Sequence, residues 1–474
     1  MQENNNDYDQ FEFDDENTRS LVGRYEDMLQ KNLKLYFDIE EFEIIINHYI
    51  WTNDTADALI AINIAESFFP DSNIIQIRRA EVLILKNESY SALNILNRLE
   101  RFEPYNAQIN FVKAKANIEI DNMREANRQF ELALKKDTDN QLDLLMQIAD
   151  YLVWLSDFDL ALKYLKRAYK LNSNNIDVLY QIAYCYDRLG DLDNCISFYN
   201  KCLDEDPFDE GIWHNLGTIY SRKNMYNKAI EAFDFAITIN EFYQPSLYNK
   251  ANTLANIERY SDAIEVFNSF LKLEPDNLYA QCTIGECYEK LGEFEKATNC
   301  YTQVLTEDDN FSDAYYGLSI VKYRQGLYDD SAIYITKALE LDSENSDFWF
   351  SSGELLYKTG YNNEALTAFL NTVEYNPYDI EAWVYISEIV FENEGAEGAL
   401  LELKKAYVDN YNAPQLHYRL AAMYYIVNNM DDCFIFLKNG LSHKPELVDV
   451  FFSLCPEARN DITITKLLKE IINN

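Results

Sequence analysis

Small side chains return along this chain at an almost fixed spacing. The row runs Ala58, Ala92, Ala126, Ala161, Cys195, Ala229, Ala263, Ala297, Ser331, Ala365, Ala399 and Cys433, with every step 34 residues except the 35 from Ala126 to Ala161. Four residues after each member stands a large apolar one: Ile62, Leu96, Phe130, Leu165, Tyr199, Phe233, Phe267, Tyr301, Ile335, Phe369, Leu403 and Leu437. Twelve residues before each runs a second small row, Ala80, Ala114, Ala149, Ala183, Gly217, Ala251, Gly285, Ser319, Gly353, Ser387 and Ala421, with Ile46 its one bulky member. Residues four apart share a helix face, so each unit reads as two helices whose backbones approach at the small positions. One hairpin cannot bury its apolar stripe alone, and neighbouring units must cover one another. Enlarging a small position strains that contact by about 1–3 kcal/mol.

The spacing Trp213, Leu216, Gly217, Tyr220, Ala229, Phe233, Ala236 resembles the tetratricopeptide repeat (TPR) motif. Twelve in-phase copies over about residues 39–447 are expected, with starts near Ile39, Asn73, Ala107, Leu142, Ile176, Glu210, Gln244, Leu278, Ser312, Ser346, Ile380 and Pro414. The Asn- and Ile-rich composition and the degenerate final repeat are similar to the long bacterial members of that family. The resemblance implies an all-α fold, an α-solenoid coiled as a right-handed superhelix, and the unbroken period implies one elongated array.

Punctuation agrees with the period. Pro70, Pro104, Pro207, Pro275, Pro377 and Pro445 fall at one phase, where a helix has ended and another is to begin. Gly190, Gly292, Gly326 and Gly360 stand between the two helices of their repeats, where a left-handed cap is wanted. The one extra residue lies in the polar turn Asp137-Thr138-Asp139-Asn140-Gln141.

The ends depart from the pattern. Residues 1–18 are acidic, with no basic residue before Arg19, and are expected to be a disordered tail carrying Tyr8, Phe11 and Phe13. Residues 19–38 read as a capping helix, with Leu21, Tyr25, Met28, Leu29, Leu33 and Tyr36 at helical spacing. Residues 448–474 read as a degenerate repeat and a C-terminal capping helix, started by Asp461 and turning Ile462, Leu467, Leu468 and Ile471 inward.

Charge and motif content exclude several classes. Against 41 Lys and Arg stand 80 Asp and Glu, a formal net charge of −39, whereas nucleic acids and anionic membranes require a basic footprint. No apolar run approaches the ~20 residues of a spanning helix. The opening Met1-Gln2-Glu3-Asn4 is unlike a signal peptide, so a cytoplasmic protein is expected. None of the eight cysteines forms a C-x-x-C pair; Cys195, Cys202 and Cys433 occupy small-residue positions and read as reduced core residues. There is no phosphate-binding loop, nucleophile elbow or paired-histidine zinc motif, and the four histidines are scattered, with His417 at the phase of Trp213, Trp349 and Trp383. No enzyme, cofactor or metal site is expected.

What remains is binding. In TPR proteins the first helix of each repeat lines a concave face, typically through its second, fifth, sixth, ninth, twelfth and thirteenth residues. Carried over, the resemblance implies a partner-binding set of Tyr180, Tyr184 and Arg188, then His214, Asn215 and Arg222, then Tyr248, Asn249 and Asn252, then Lys290, Tyr316, Arg324 and Lys358. Tyrosines supply contact area with a polar tip. The asparagines suit the amides of an extended peptide, and Arg188, Arg222, Lys290, Arg324 and Lys358 form a basic row able to hold carboxylates. The Lys–Asn series of a chaperone-type dicarboxylate clamp is missing. The expected function is a non-enzymatic adaptor holding a protein or peptide segment; the alternative is a scaffold assembling through its convex face and ends.

Overall fold

The computed structural model describes residues 16–31, 33 and 35–472. Among them are helices, turns and two short 3-10 segments, with no strand. The chain is an all-α solenoid, divided into two compact units, one up to Ile219 and one from Tyr220. The boundary falls inside a helix, Glu210–Arg222, and the sequence period does not mark it.

In the first unit the repeats pair Ile39–Trp51 with Thr55–Phe68, Asn73–Leu85 with Ser89–Phe102, Ala107–Glu119 with Met123–Lys136, Gln141–Trp154 with Phe158–Leu171, and Ile176–Arg188 with Leu192–Glu205. In the second unit Tyr226–Ile239 is followed by the pairs Gln244–Asn256 with Tyr260–Phe270, Leu278–Lys290 with Phe294–Glu307, Ser312–Arg324 with Tyr328–Leu341, Ser346–Lys358 with Asn362–Tyr375, and Pro414–Ile426 with Met430–His443. Between the last two of these, Ile380–Asp409 runs as one helical stretch broken at Gly395 (φ 80°). Within each unit a first helix packs on its own second helix, and that one on the first helix of the next repeat.

The small residues are where the helices meet. Every member of the first row is at most 1% exposed, and every large residue four positions later at most 3%. The second row is buried throughout. Where it holds glycine the reason is direct: a Cβ on Gly353 would lie 2.6 Å from the Phe369 ring, and one on Gly285 2.8 Å from the Tyr301 ring. Gly317, in the next repeat, makes room for the same Tyr301, a Cβ there falling 2.2 Å from the ring.

The backbone carries the period as well. A left-handed residue follows each first helix at Asn53, Asn87, Asp121, Ser156, Gly190, Asn224, Glu258, Gly292, Gly326, Gly360 and Asn428, with φ between 56° and 88°. The next amide bonds back to the carbonyl five residues earlier, as from Glu88 to Leu83 (2.8 Å) and from Asp191 to Tyr186 (2.9 Å). This pattern satisfies carbonyls left open at the helix end. Four of these caps are the expected glycines; most of the others are Asn or Asp, whose short side chains tolerate the conformation. In the eleventh repeat the left-handed residue, Gly395, comes one position late, and the break between helices is correspondingly tight. Second helices end two residues before the prolines, except Tyr260–Phe270, which stops five before Pro275, and the inserted turn is closed by Asp137 Oδ1 accepting from the Asn140 amide (3.0 Å).

Both ends differ from expectation in detail. The N-terminal helix is Glu16–Gln30, so it stops before Leu33 and Tyr36, which are 47% and 67% exposed, while Tyr25, Val22 and Met28 are buried on the first repeat. Tyr25 is the anchor, its ring edge-on to Phe37, Phe42 and Tyr49. The expected acidic tail lies outside the described residues up to position 15, and Glu16–Thr18 open this helix. At the other end Asp461 does start the helix Ile462–Ile472, accepting from the Thr463 amide at 2.7 Å. Ile462, however, is 84% exposed, and Ile464 is buried in its place, because a residue beside the cap points away from the repeat that the helix covers. Leu467 and Leu468 pack on the core, and the side chain of Ile471 lies outside those described.

Gly353→Ala should lower stability by about 1–3 kcal/mol through overpacking against Phe369, whereas Glu258→Gly should raise it by about 0.5–1 kcal/mol by relieving a left-handed non-glycine residue. The shift of the urea midpoint followed by circular dichroism checks both signs.

Candidate functional site

A 13-residue helix turning 100° per residue puts its second, fifth, sixth, ninth, twelfth and thirteenth positions on one side. The buried small row, at the eighth position of these helices, lies about 100° round from the middle of that side. What the first helices present on the remaining face is therefore the candidate site, and it has an order of its own.

Side chains on this face bond from one repeat to the next at two spacings. A fifth-position residue reaches the sixth of the following repeat, 35 residues on. Arg78 donates to Glu43 (2.6 Å), Asn215 to the Tyr180 hydroxyl (3.2 Å), and the Tyr316 hydroxyl lies 3.2 Å from Ser351 Oγ. A ninth-position carboxylate meets the same sixth position from the other side, 31 residues on. The Tyr385 hydroxyl donates to Glu354 (3.4 Å), Arg419 to Glu388 (2.5 Å), and Gln181 to Asp150. The two spacings differ by one helical turn, so the sixth residue sits opposite the gap between its neighbour's fifth and ninth. These rungs hold successive first helices in register.

The expected site residues divide accordingly. In the first unit Tyr180 and Asn215 are spent on each other, and Tyr180 also packs edge-on to Tyr199 (5.7 Å). Tyr184 meets Phe158, over which the exposed Arg188 guanidinium also lies, 5.6 Å from the ring centre. His214 is half-buried, and burial pushes its imidazole down to about 4. In the second unit Tyr248 packs on Phe267 and Phe270 of its own repeat. Tyr316 stacks on Phe348 (4.8 Å) besides touching Ser351. Asn249 and Asn252 are half-buried.

Arg222, Lys290, Arg324 and Lys358 are exposed and, like Arg188, each is the last residue of its first helix. A cation there complements the helix C-terminus, a local reason for the basic row. Arg324 also lies 3.1 Å from Glu289, a carboxylate 4% exposed. Burial raises the Glu289 pKa, with Arg324 and Lys290 opposing.

Two constellations were not foreseen. In repeats one to three, Glu43, Arg78, Glu81 and Lys115 form a continuous ion-pair chain. Burial works against the charge of Glu81, yet Lys115 and Arg78 hold its carboxyl below the ordinary range. In repeats nine and ten a small cavity is lined by Ser319, Ile320, Tyr323, Ser331, Ser351 and Glu354. The visible signal for the second was serine in both small rows of one repeat.

Other features belong to packing. Trp213, Gln281, Trp349 and Trp383 share one phase, and each donates to the carbonyl six residues before it, at Pro207, Pro275, Ser343 and Pro377 (2.8–3.0 Å). They lock the turn between repeats. His417, at that same phase, is 1% exposed and stacks on His443. All eight cysteines are free thiols; burial pushes Cys185, Cys202, Cys287, Cys433 and Cys455 up to about 12. Among the described residues no group of side chains is arranged to hold a metal ion, and no helix is long and apolar enough to cross a membrane.

His214 makes a pH signature. Its neutral form is favoured in the folded chain, so the stability it contributes is whole above pH about 6.5 and is lost as pH falls toward about 4. Between pH 6.5 and 5 the melting temperature should fall more steeply for the native chain than for His214→Phe, read by thermal denaturation.

Family models described as tetratricopeptide repeat match residues 176–209, 198–231, 258–319 and 316–370. Among solved structures the chain is similar to a tetratricopeptide repeat protein from Parabacteroides merdae ATCC 43184, at 20% identity and TM-score 0.44, over 52% of this chain and 97% of that one. It is similar to yeast Tom70 at 15% identity and TM-score 0.47, over 90% and 98% of the two chains. A third is YrrB, a TPR protein with an unusual peptide-binding site, at 20% identity and TM-score 0.33, over 40% and 98%. No curated protein matches the chain.

Proposed function

The chain is a tetratricopeptide repeat protein, and from that premise we propose that it is an adaptor that holds an extended segment of another protein along the first-helix face of its repeats. The observation that carries this is in the second unit, where the face offers half-buried side-chain amides, Asn249 and Asn252, beside tyrosines already fixed by packing. Tyr248 and Tyr316 lose little further freedom on contact, so binding costs less order there. The asparagines carry both a donor and an acceptor for a peptide backbone. The exposed cations at the helix ends, Arg222, Lys290, Arg324 and Lys358, form the rim. In the first unit Tyr184, Arg188 and His214 take the equivalent places, with Tyr180 and Asn215 as their support.

In this reading the chain works through contact and carries no catalytic centre or cofactor. The same reading places it in the cytoplasm, where buried thiols stay reduced.

One observation favours a second reading, assembly through the outer faces. Ile333, Leu401 and Ile435 share one phase of the second helices and are 66%, 62% and 54% exposed. Such apolar positions suit a protein contact.

Arg222→Glu, Asn249→Ala and Asn252→Ala together leave the packed tyrosines untouched. They should reduce a co-purifying partner by about tenfold in affinity pull-downs, and an unchanged partner would remove the groove from consideration. Ile333→Lys, Leu401→Lys and Ile435→Lys together should leave the partner bound; a change of mass in light scattering would favour the second reading.

A further inference from the structure

Repeat nine holds serine in both small rows at once. Ser331 Oγ donates to the Ser319 carbonyl at 3.0 Å and lies 3.0 Å from Ser319 Oγ. A hydroxyl has one proton, so with that of Ser331 committed, Ser319 must donate to Ser331. Both residues are at most 3% exposed. Their donors are spent, and lone pairs on Ser319 Oγ remain. One repeat on, Ser351 Oγ is engaged by the Tyr316 hydroxyl, and Glu354 receives only the long bond from Tyr385. Among the described residues Glu354 has no ion-pair partner. Burial raises its pKa, the Tyr385 bond opposes this, and Glu381 adds to it. These groups, with Ile320 and Tyr323, enclose the cavity between the first helices of repeats nine and ten, which has room for about one water-sized group.

We propose that this cavity binds a primary ammonium group, the head of a lysine side chain on a partner segment lying along the first-helix face. The proposal rests on the groove reading above and specifies one side chain of the ligand. The cavity presents acceptors and a carboxylate without a cation; an ammonium is the one common side-chain head with three donors and no acceptor, and it is compact. It would restore the charge balance that burial of Glu354 disturbs, and the Tyr323 ring on the wall adds a cation–π contact. A guanidinium is a wide planar fork that exceeds the space. A neutral amide brings an acceptor against lone pairs. A hydroxyl brings only one donor.

The test uses the full chain and an acetylated, amidated heptapeptide of alanine with one central lysine, titrated calorimetrically at millimolar concentration. Norleucine and arginine versions of the peptide are the controls. Lysine should bind at least tenfold more tightly than either. Ser319→Ala with Ser331→Ala installs at both positions the residue most other repeats carry, so the fold is kept while the hydroxyls go; the lysine peptide should weaken at least fivefold. Glu354→Gln should weaken it at least tenfold, and Glu340→Gln, on the exposed face of the second helix, by less than twofold. Equal binding of lysine and norleucine peptides, undiminished binding to the double serine variant, or no binding of the lysine peptide would each overturn the proposal, leaving the cavity to a resident water. If both peptides bind equally and both are lost with the Arg222, Asn249 and Asn252 variant, the groove reading stands and the ammonium pocket falls. If lysine preference persists while that variant keeps its partner, the groove reading falls and the pocket stands.

Discussion

Two helices nest only as closely as the side chains between them permit, and everything else in this chain follows from that limit. At each crossing the backbones approach over small residues, and a large residue one turn later fills what space is left. The match is local: Gly353 faces Phe369 and Gly285 faces Tyr301, where even a methyl group would intrude on the ring. Interiors pack at crystal-like density, so a crossing of this kind has one good arrangement. Repeating it builds a stack whose stability is approximately a sum of repeat and interface contributions.

Close nesting leaves the other side of each first helix to do two things. It joins repeats through polar rungs, each contributing about 0.5–1.5 kcal/mol net, and in the proposed function it is the surface that holds the ligand. The two duties fall on the same residues. Tyr180, Asn215 and Tyr316, candidates for binding by their positions, are also members of rungs. In the first three repeats the rungs become a partly buried ionic chain through Arg78, Glu81 and Lys115, whose value depends on every member being paired. A groove whose side chains are already held is a rigid surface, suited to binding without much loss of freedom.

Much of this was legible in advance, because it depends on residue size and backbone conformation at a fixed period. The small rows, the prolines closing six of the repeats, the four glycine caps and the buried cysteines all read directly. The caps at Asn53, Asp121 or Glu258 did not, since those residue types are common elsewhere and only the phase marks them. The rungs were not legible either. Glu354 and Tyr385 stand 31 residues apart and Tyr180 and Asn215 stand 35 apart, and which partner a side chain takes depends on the axial offset of adjacent helices. The same holds at the ends, where Tyr36 and Ile462 fit a helical stripe in sequence but meet no neighbour to cover them.

The amino-acid order alone determined that this is a stack of helix pairs and which faces are buried. It could do so because the pairings of the small rows, as of Gly353 with Phe369, are made within one hairpin, a matter of nearby residues. Tertiary structure decided which exposed side chains pair across repeats, that serines 319 and 331 face each other above a carboxylate without a cation, and that the chain divides at a helix the period runs straight through. Those outcomes depend on distances between separate hairpins. A periodic sequence specifies such distances only through the packing it has already produced.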